Sequence, residues 1–289
     1  AEGKVDASSL DLQSPTNLQV ANETDAESSL LENSEEDVPQ ESEQAKLEEV
    51  KQADLTLPQG FDPFASHKEK VGTTCYTFPT VRVYGFSKDG KIAYSTEEEV
   101  DGRGGTVIDY IIQDLVTDKL LWQTRDDTED WLSDQAGSQD MGISEVSLAK
   151  KKNELLSAMQ KYSIMQSTDQ FLQFPTEAGY TCTADFADNT TEGDDAFFGN
   201  IDYRIVAKNP SGKTKIVASA KGARAYQVVV CGYIKNPYEN RMAIIFGEEK
   251  YTFEGTGITY HVTGCDLSEK SFKGLFMKDR KSTRLNSSH

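Results

Sequence analysis

The sequence predicts a mainly β protein. Its strands read as antiparallel meanders in two packed sheets or one strongly bent sheet, with one long amphipathic helix at about 144–163. Three observations predict this. First, VYGFSKDGKIAYSTEEE (Val83–Glu99) sets strand-forming residues on both sides of Lys88-Asp89-Gly90, the pattern of a tight hairpin. Second, the same logic of strand, polar turn, basic residue and strand returns once, in IKNPYENRMAIIF (Ile234–Phe246). Third, SEVSLAKKKNELLSAMQKYSIM (Ser144–Met165), between the two hairpins, switches its apolar period from two residues to three or four.

The elements follow in chain order. Val81 and Val83 alternate with Arg82 and Tyr84, and Ile92 and Tyr94 with Ala93 and Ser95, so one strand enters the turn and another leaves it. Asp89-Gly90 supplies the positive φ that the turn needs, and the Ser87 hydroxyl is expected to stabilise it. Phe86, Ile92 and the 107–112 strand are expected to share one buried face, with the turn at a sheet edge. The glycine-rich DGRGG (Asp101–Gly105) leads into a second hairpin turning at Thr117-Asp118, with β-branched Val107, Ile108, Ile111 and Ile112 before the turn. These two hairpins make a four-stranded meander, equivalent to one propeller blade. In the helix, Leu148, Leu155, Ala158, Met159 and Tyr162 form the apolar stripe, Ser144 is the expected N-cap, and the lysines lie outward.

After Pro175 strand chemistry returns. YTCTADF (Tyr180–Phe186) and NIDYRIVAKNPSGKTKIVASA (Asn200–Ala220) flank the acidic loop ADNTTEGDD, and Asn209-Pro210-Ser211-Gly212 is a turn. Ala225–Leu267 then gives three more strands. A closed propeller needs at least ~4 blades of roughly 40 residues each. Only two blade-like sheets are present, with a helix between them, so the fold is not a closed propeller.

Composition divides the chain into three parts. Residues 1–60 hold 15 Asp and Glu against 3 Lys and Arg and no aromatic residue, within a chain of net charge −18. Such a stretch buries too little apolar surface to offset the entropy of ordering, so it reads as an acidic disordered linker or tether. Residues 61–278 read as a single β-rich domain. Residues 279–289, DRKSTRLNSSH, match the in-frame translation of a common sequencing-adapter string and are read as a library artefact. The acidic balance argues against nucleic acid as a partner. No stretch has the ~18 apolar residues of a transmembrane helix.

Cysteines 75, 182, 231 and 265 have no Cys-x-x-Cys spacing and so no zinc-ribbon or thioredoxin signal. An even count beside an acidic tether fits two disulfides in a secreted or periplasmic protein whose signal peptide is not present in this chain; buried free thiols are the alternative. Cys231 and Cys265 are not expected to pair directly, because the strand RMAIIF (Arg241–Phe246) should lie between theirs. Any bridge should join one of them to Cys75 or Cys182.

Motifs for chemistry are mostly missing. Outside the adapter-like tail only His67 and His261 remain, with no His-Glu-x-x-His, phosphate loop or dinucleotide turn. GFSKDG misses the Gly-x-Ser-x-Gly spacing by one residue. His261 alternates with Tyr260 and Val262 in a strand and reads as a surface or pore-lining imidazole. The acidic clusters Asp126, Asp127, Glu129 and Asp130, and Asp185, Asp188, Glu192, Asp194 and Asp195, lack the register of a calcium loop and read as solvated. Tyr226, Tyr233, Tyr238 and Tyr251 are candidates for a glycan-binding face. No catalytic, cofactor-binding or metal residue is assigned, and no cofactor is expected.

GFSKDGKIAYS (Gly85–Ser95), the following Asp-Gly-x-Gly-Gly, DLVTDKLLW (Asp114–Trp122) and the late YTFEG (Tyr251–Gly255) together resemble a family of predicted secreted bacterial proteins of unknown function, found in spirochaetes among other bacteria. The resemblance spans Thr80–Trp122 and, more loosely, Gly232–Leu267. The same motifs resemble the β-propeller repeats of periplasmic TolB-like proteins. The resemblance implies export and a β-rich fold, and brings no reaction or catalytic residue. The expected function is therefore an exported non-catalytic module, binding or structural, with a cell-envelope or extracellular ligand. The alternative is a secreted hydrolase with a site built from dispersed carboxylates and His261. An enzyme should gather such groups in one deep pocket, whereas a binding module should present a shallow aromatic or flat face.

Overall fold

The computed structural model describes residues 54–68, 75–100, 105–129, 142–167, 170–253 and 255–272. The short β1 (Cys75–Thr77) is followed by the expected meander: β2 (Thr80–Phe86), β3 (Lys91–Glu99), β4 (Thr106–Asp114) and β5 (Leu120–Asp127). Next come helix α1 (Ile143–Lys161) and two very short strands, β6 (Met165–Gln166) and β7 (Phe171–Leu172). The remainder is β8 (Thr181–Asp188), the five-residue helix α2 (Asp194–Phe198), β9 (Ile201–Lys208), β10 (Thr214–Ala223), β11 (Gln227–Lys235), β12 (Arg241–Tyr251) and β13 (Thr256–Asp266).

The fold is mainly β, with three sheets and none closed on itself. Sheet A has the order β5-β4-β3-β2-β6, sheet B β1-β13-β12-β11-β7 and sheet C β10-β9-β8. Every described pairing of strands is antiparallel except that of β1 with β13. The strands after Pro175 thus divide between two sheets, because β8–β10 pair only among themselves.

The layers stack in the order α1, A, B, C. Leu148, Leu155, Ala158 and Met159 of α1 bury the face of sheet A carrying Tyr84, Ala93, Ile108, Tyr110 and Ile112. The other face of A, with Val81, Val83, Phe86, Ile92 and Tyr94, packs on Cys231, Ile234, Ala243, Ile245 and Ile258 of B. The far side of B (Val228, Tyr233, Met242, Ile244, Phe246, Cys265) packs on Cys182, Ile201, Tyr203, Ile205 and Ala207 of C. Strand β12 is consequently buried over most of its length, on both faces.

Sheets A and B are built alike. In the β2–β3 pair the register slips between Val83 and Gly85, and in the β11–β12 pair between Val230 and Gly232. Each bulged glycine lies against a two-residue strand: Gly85 pairs with Gln166 of β6, and Tyr233, next to Gly232, pairs with Leu172 of β7. A Cβ on Gly85 would overlap the Met165 carbonyl, and one on Gly232 the Leu172 carbonyl. Phe86 faces sheet B, while Tyr233, the residue after the second bulged glycine, faces sheet C. Equivalent faces therefore point the same way along the stack, as blades do in a propeller, but the stack stays open.

Several expectations change on inspection. The N-cap of α1 is Gly142, not Ser144. The buried Ser144 hydroxyl instead donates to Glu97 (2.6 Å) and accepts from Arg82 (3.2 Å), fixing the helix start to sheet A. Phe86 and Ile92 share their buried face with Ile111 of the 107–112 strand, as expected, but not with Ile108 and Ile112, which point towards α1. Period-2 alternation fixes which residues share a face within a strand but not which face meets which layer; here both faces of A are buried. The β2–β3 turn is also not bare. The Gly90 carbonyl accepts from the Leu115 N–H, and the Ser87 carbonyl accepts from the Asn236 amide of the β11–β12 hairpin. Packed chain begins before residue 61: Leu55 is buried under α1, and the Pro58 carbonyl accepts from Arg82 at 2.9 Å. Residues 1–53 and the adapter-like tail lie outside the described residues.

Candidate functional site

An aromatic face forms where α2 meets the end of β12. The α2 sequence runs between Gly193 and Gly199, two glycines at positive φ that turn the chain sharply on either side. This sets Phe197 against Tyr251 with ring centroids 4.1 Å apart, and Phe198 edge-on to both, at 5.2 and 5.7 Å. The Arg224 guanidinium lies 5.2 Å from the Phe198 ring, a cation–π distance. Tyr226 completes the group, its hydroxyl donating to the Phe197 carbonyl. Phe197 remains 51% exposed, and Phe253, two residues beyond Tyr251, 76% exposed.

A polar layer adjoins these rings. The buried Glu249 accepts from the Gln227 amide and from the Thr256 hydroxyl at 2.9 Å, while its own carbonyl accepts from the Tyr226 N–H at 2.8 Å. Burial, then the charge of Glu249, raises the Tyr226 phenol above its ordinary value. Aromatic faces beside amide, hydroxyl and guanidinium groups can bind a ligand with both apolar and hydroxylated surfaces.

His261 lies elsewhere, between sheets B and C. Its Nε2 is 2.9 Å from Glu248 Oε2, and its ring stacks on Phe246 at 5.1 Å. Glu248 also takes Lys250 as an ion-pair partner and a hydrogen bond from the Tyr203 hydroxyl of sheet C. Burial alone would raise this carboxyl, but His261, Lys250 and Tyr203 together hold it at about 2. The Glu248 carboxylate is thus buried at the joint between layers, whereas the imidazole it holds keeps 38% of its side chain exposed. A third place of interest is a pocket of about 240 Å³ on sheet A, lined by Thr96, Glu98, Asp109 and Arg125 among others. Arg125 grips Asp109 with two hydrogen bonds, at 2.8 and 2.7 Å. Glu98 is raised by desolvation in the pocket and by the negative charge of Asp109.

Of the tyrosines singled out in the sequence, Tyr226 and Tyr251 come together. Tyr233 is buried against Phe174, with centroids 4.8 Å apart, and Tyr238 sits apart in the β11–β12 turn. Ser87 is a buried turn residue whose Oγ accepts from the Lys91 N–H and donates to Asp89. Asp126 is buried, whereas Asp185 and Asp188 are exposed. Asp130 and the side chains of Asp194 and Asp195 lie outside what is described. Among the described residues no group of three or more His, Cys, Asp or Glu side chains is placed to hold a metal ion, and no helix is long and apolar enough to cross a membrane. Sequence reasoning missed Phe197, Phe198 and Arg224. The available signal was GDDAFFG (Gly193–Gly199), two adjacent phenylalanines in an otherwise acidic loop. No protein-family model, curated protein or solved structure matches this chain.

Proposed function

We propose that this chain is an exported, non-catalytic binding module of the cell envelope, and that its aromatic face takes a carbohydrate. The observation that carries the reading is the exposed ring of Phe197, packed on Tyr251 beside Arg224 and the Gln227–Glu249–Thr256 layer. Large apolar rings left open and rimmed by polar groups mark interaction sites. Export rests on the acidic composition, the cysteine count and the family resemblance. The test is co-sedimentation of the full chain with purified bacterial peptidoglycan and with insoluble cellulose and chitin. Retention on one of these, reduced at least tenfold by Phe197→Ala and unchanged by His261→Ala, is expected. Equal retention of Phe197→Ala and the parent, or no retention on any of the three, overturns it.

A hydrolase reading has one specific observation in its favour, the Glu98–Asp109 pair. One carboxyl is raised and its neighbour is held by Arg125, the asymmetry that general acid catalysis requires. Turnover of fluorogenic glycosides that is lost in both Glu98→Gln and Asp109→Asn would favour it over the binding module.

A further inference from the structure

Three hairpin turns meet at one end of sheets A and B. The Gly90 carbonyl of the β2–β3 turn accepts from the Leu115 N–H of the β4–β5 turn at 2.8 Å. The Leu115 carbonyl in turn accepts from Arg241 Nη1, at the start of β12, at 3.1 Å. The Asn236 amide of the β11–β12 turn reaches the Ser87 carbonyl. Around this joint three large apolar side chains stay in solvent: Val116 and Leu120 are each 57% exposed, and Tyr238 39%. Val116 and Tyr238 stand in turns and Leu120 opens β5, so neither sheet covers them.

The charges at this end divide by sign. The carboxylates of the three turns are engaged within the protein: Asp89 with Lys91, Asp114 with the Val116 and Thr117 N–H groups, Asp118 with Thr263 and Gly264, and Glu239 with Arg241. Lys88, Lys119 and Lys235 are exposed and have no ion-pair partner among the described residues. Unpaired cations thus accompany exposed apolar groups on a chain of net charge −18.

We propose that this end adsorbs to an anionic lipid bilayer surface, with Val116, Leu120 and Tyr238 entering the headgroup layer and the three lysines meeting lipid phosphates. Charge complementarity decides the occupant. Lysine stems are apolar and their heads charged, so beside two aliphatic side chains they suit the boundary between headgroups and acyl chains. Tyrosine, with an apolar ring and a polar tip, favours the same depth. Salt screens charges more than ~8 Å away at physiological ionic strength, so the lysines at the contact outweigh the acidic remainder of the chain. Arg241 at this end and Tyr251 in the aromatic face begin and finish β12, which sets the two surfaces roughly 30 Å apart along one strand. The inference does not rest on the carbohydrate reading.

The test is flotation of the full chain with vesicles of phosphatidylcholine alone, and of equal parts phosphatidylcholine and phosphatidylglycerol. Binding to the anionic vesicles only is expected, weakening as sodium chloride is raised and unchanged by inorganic phosphate. Lys88→Glu with Lys119→Glu should reduce it roughly tenfold or more. Val116→Ser with Leu120→Ser should reduce it by a similar factor. Thermal midpoints equal to the parent's are expected throughout, because all four side chains are exposed. Lys221→Glu, at an exposed lysine of sheet C, and Phe197→Ala should bind as the parent does. No flotation, equal flotation with both kinds of vesicle, or an equal loss in Lys221→Glu overturns the proposal. So does a loss confined to the lysine variant, which is charge attraction without insertion. Displacement by inorganic phosphate overturns it as well, since the ligand is then a free anion.

Discussion

Glu248 has 4% of its surface exposed and yet is held ionised by His261, Lys250 and Tyr203. Its folded pKa of about 2 lies below the ordinary glutamate value of ~4.3. The sign follows from linkage: the unfolded chain takes up the proton first, so the contribution is complete above ~4.3 and is lost as pH falls towards 2. Glu248→Gln should therefore flatten the acid limb of a urea-unfolding series between pH 5 and 2, and identical limbs would refute the role given to this carboxylate. Removing it altogether, in Glu248→Ala, leaves the buried Tyr203 hydroxyl without its acceptor and should cost roughly 1–3 kcal/mol. Gly90 makes the opposite kind of demand, on the backbone. Its φ is +87°, and a Cβ there would sit 2.6 Å from Glu239 Oε1 of the β11–β12 hairpin. Gly90→Val should lower unfolding free energy by about 1–3 kcal/mol, and a loss below the error of a denaturant titration would mean that the turn rearranges freely. The glycine was legible in the sequence, since Asp-Gly between alternating strands is a local signal. The carboxylate was not, because two of its three partners, His261 and Tyr203, come from β13 and from another sheet.

The two bulged hairpins set their demands at the level of whole elements. A bulge re-aims the strand, and at Gly85 and Gly232 the missing side chain lets β6 and β7 come close enough to pair. Gly232→Ala must push Leu172 away or bend β11, so it should cost roughly 1–3 kcal/mol of overpacking. Gly193 has nothing within 4 Å of the corresponding position, so Gly193→Ala isolates the cost of a positive φ without a clash. A Gly232→Ala loss no larger than that of Gly193→Ala, measured by urea unfolding, would show that the close approach is not needed. The hairpin itself, its downstream echo and α1 were all readable, because each carries a period or a turn signal of its own. Strands β6 and β7 were not, since two residues carry no period. The aromatic face escaped for a similar reason: α2 is too short to show a stripe, and its phenylalanines acquire meaning only beside Tyr251.

At the scale of the molecule, the order α1, A, B, C makes the layers unequal. Among the described residues, α1 covers one face of A and sheet C is covered on only one side, while sheet B is enclosed on both. Within B, β12 is hydrogen-bonded to β11 and to β13 along most of its length. Strand β10, by contrast, is an edge strand with no buried residue in its pattern. Local opening follows burial and hydrogen-bond protection, so sheet C should detach before sheet B unfolds. Native-state amide exchange should then find the slowest protons in β12 around Ile244–Phe246, with those of β10 faster by roughly tenfold or more. The Tyr203–Glu248 bond sits on this seam, so Tyr203→Phe should speed exchange in β9 and β10 while leaving β3 and β4 as they were. Uniform acceleration across all three sheets would mean that the stack opens as one cooperative unit. Slower exchange in β10 than in β12 would refute the layer order itself as the determinant of stability.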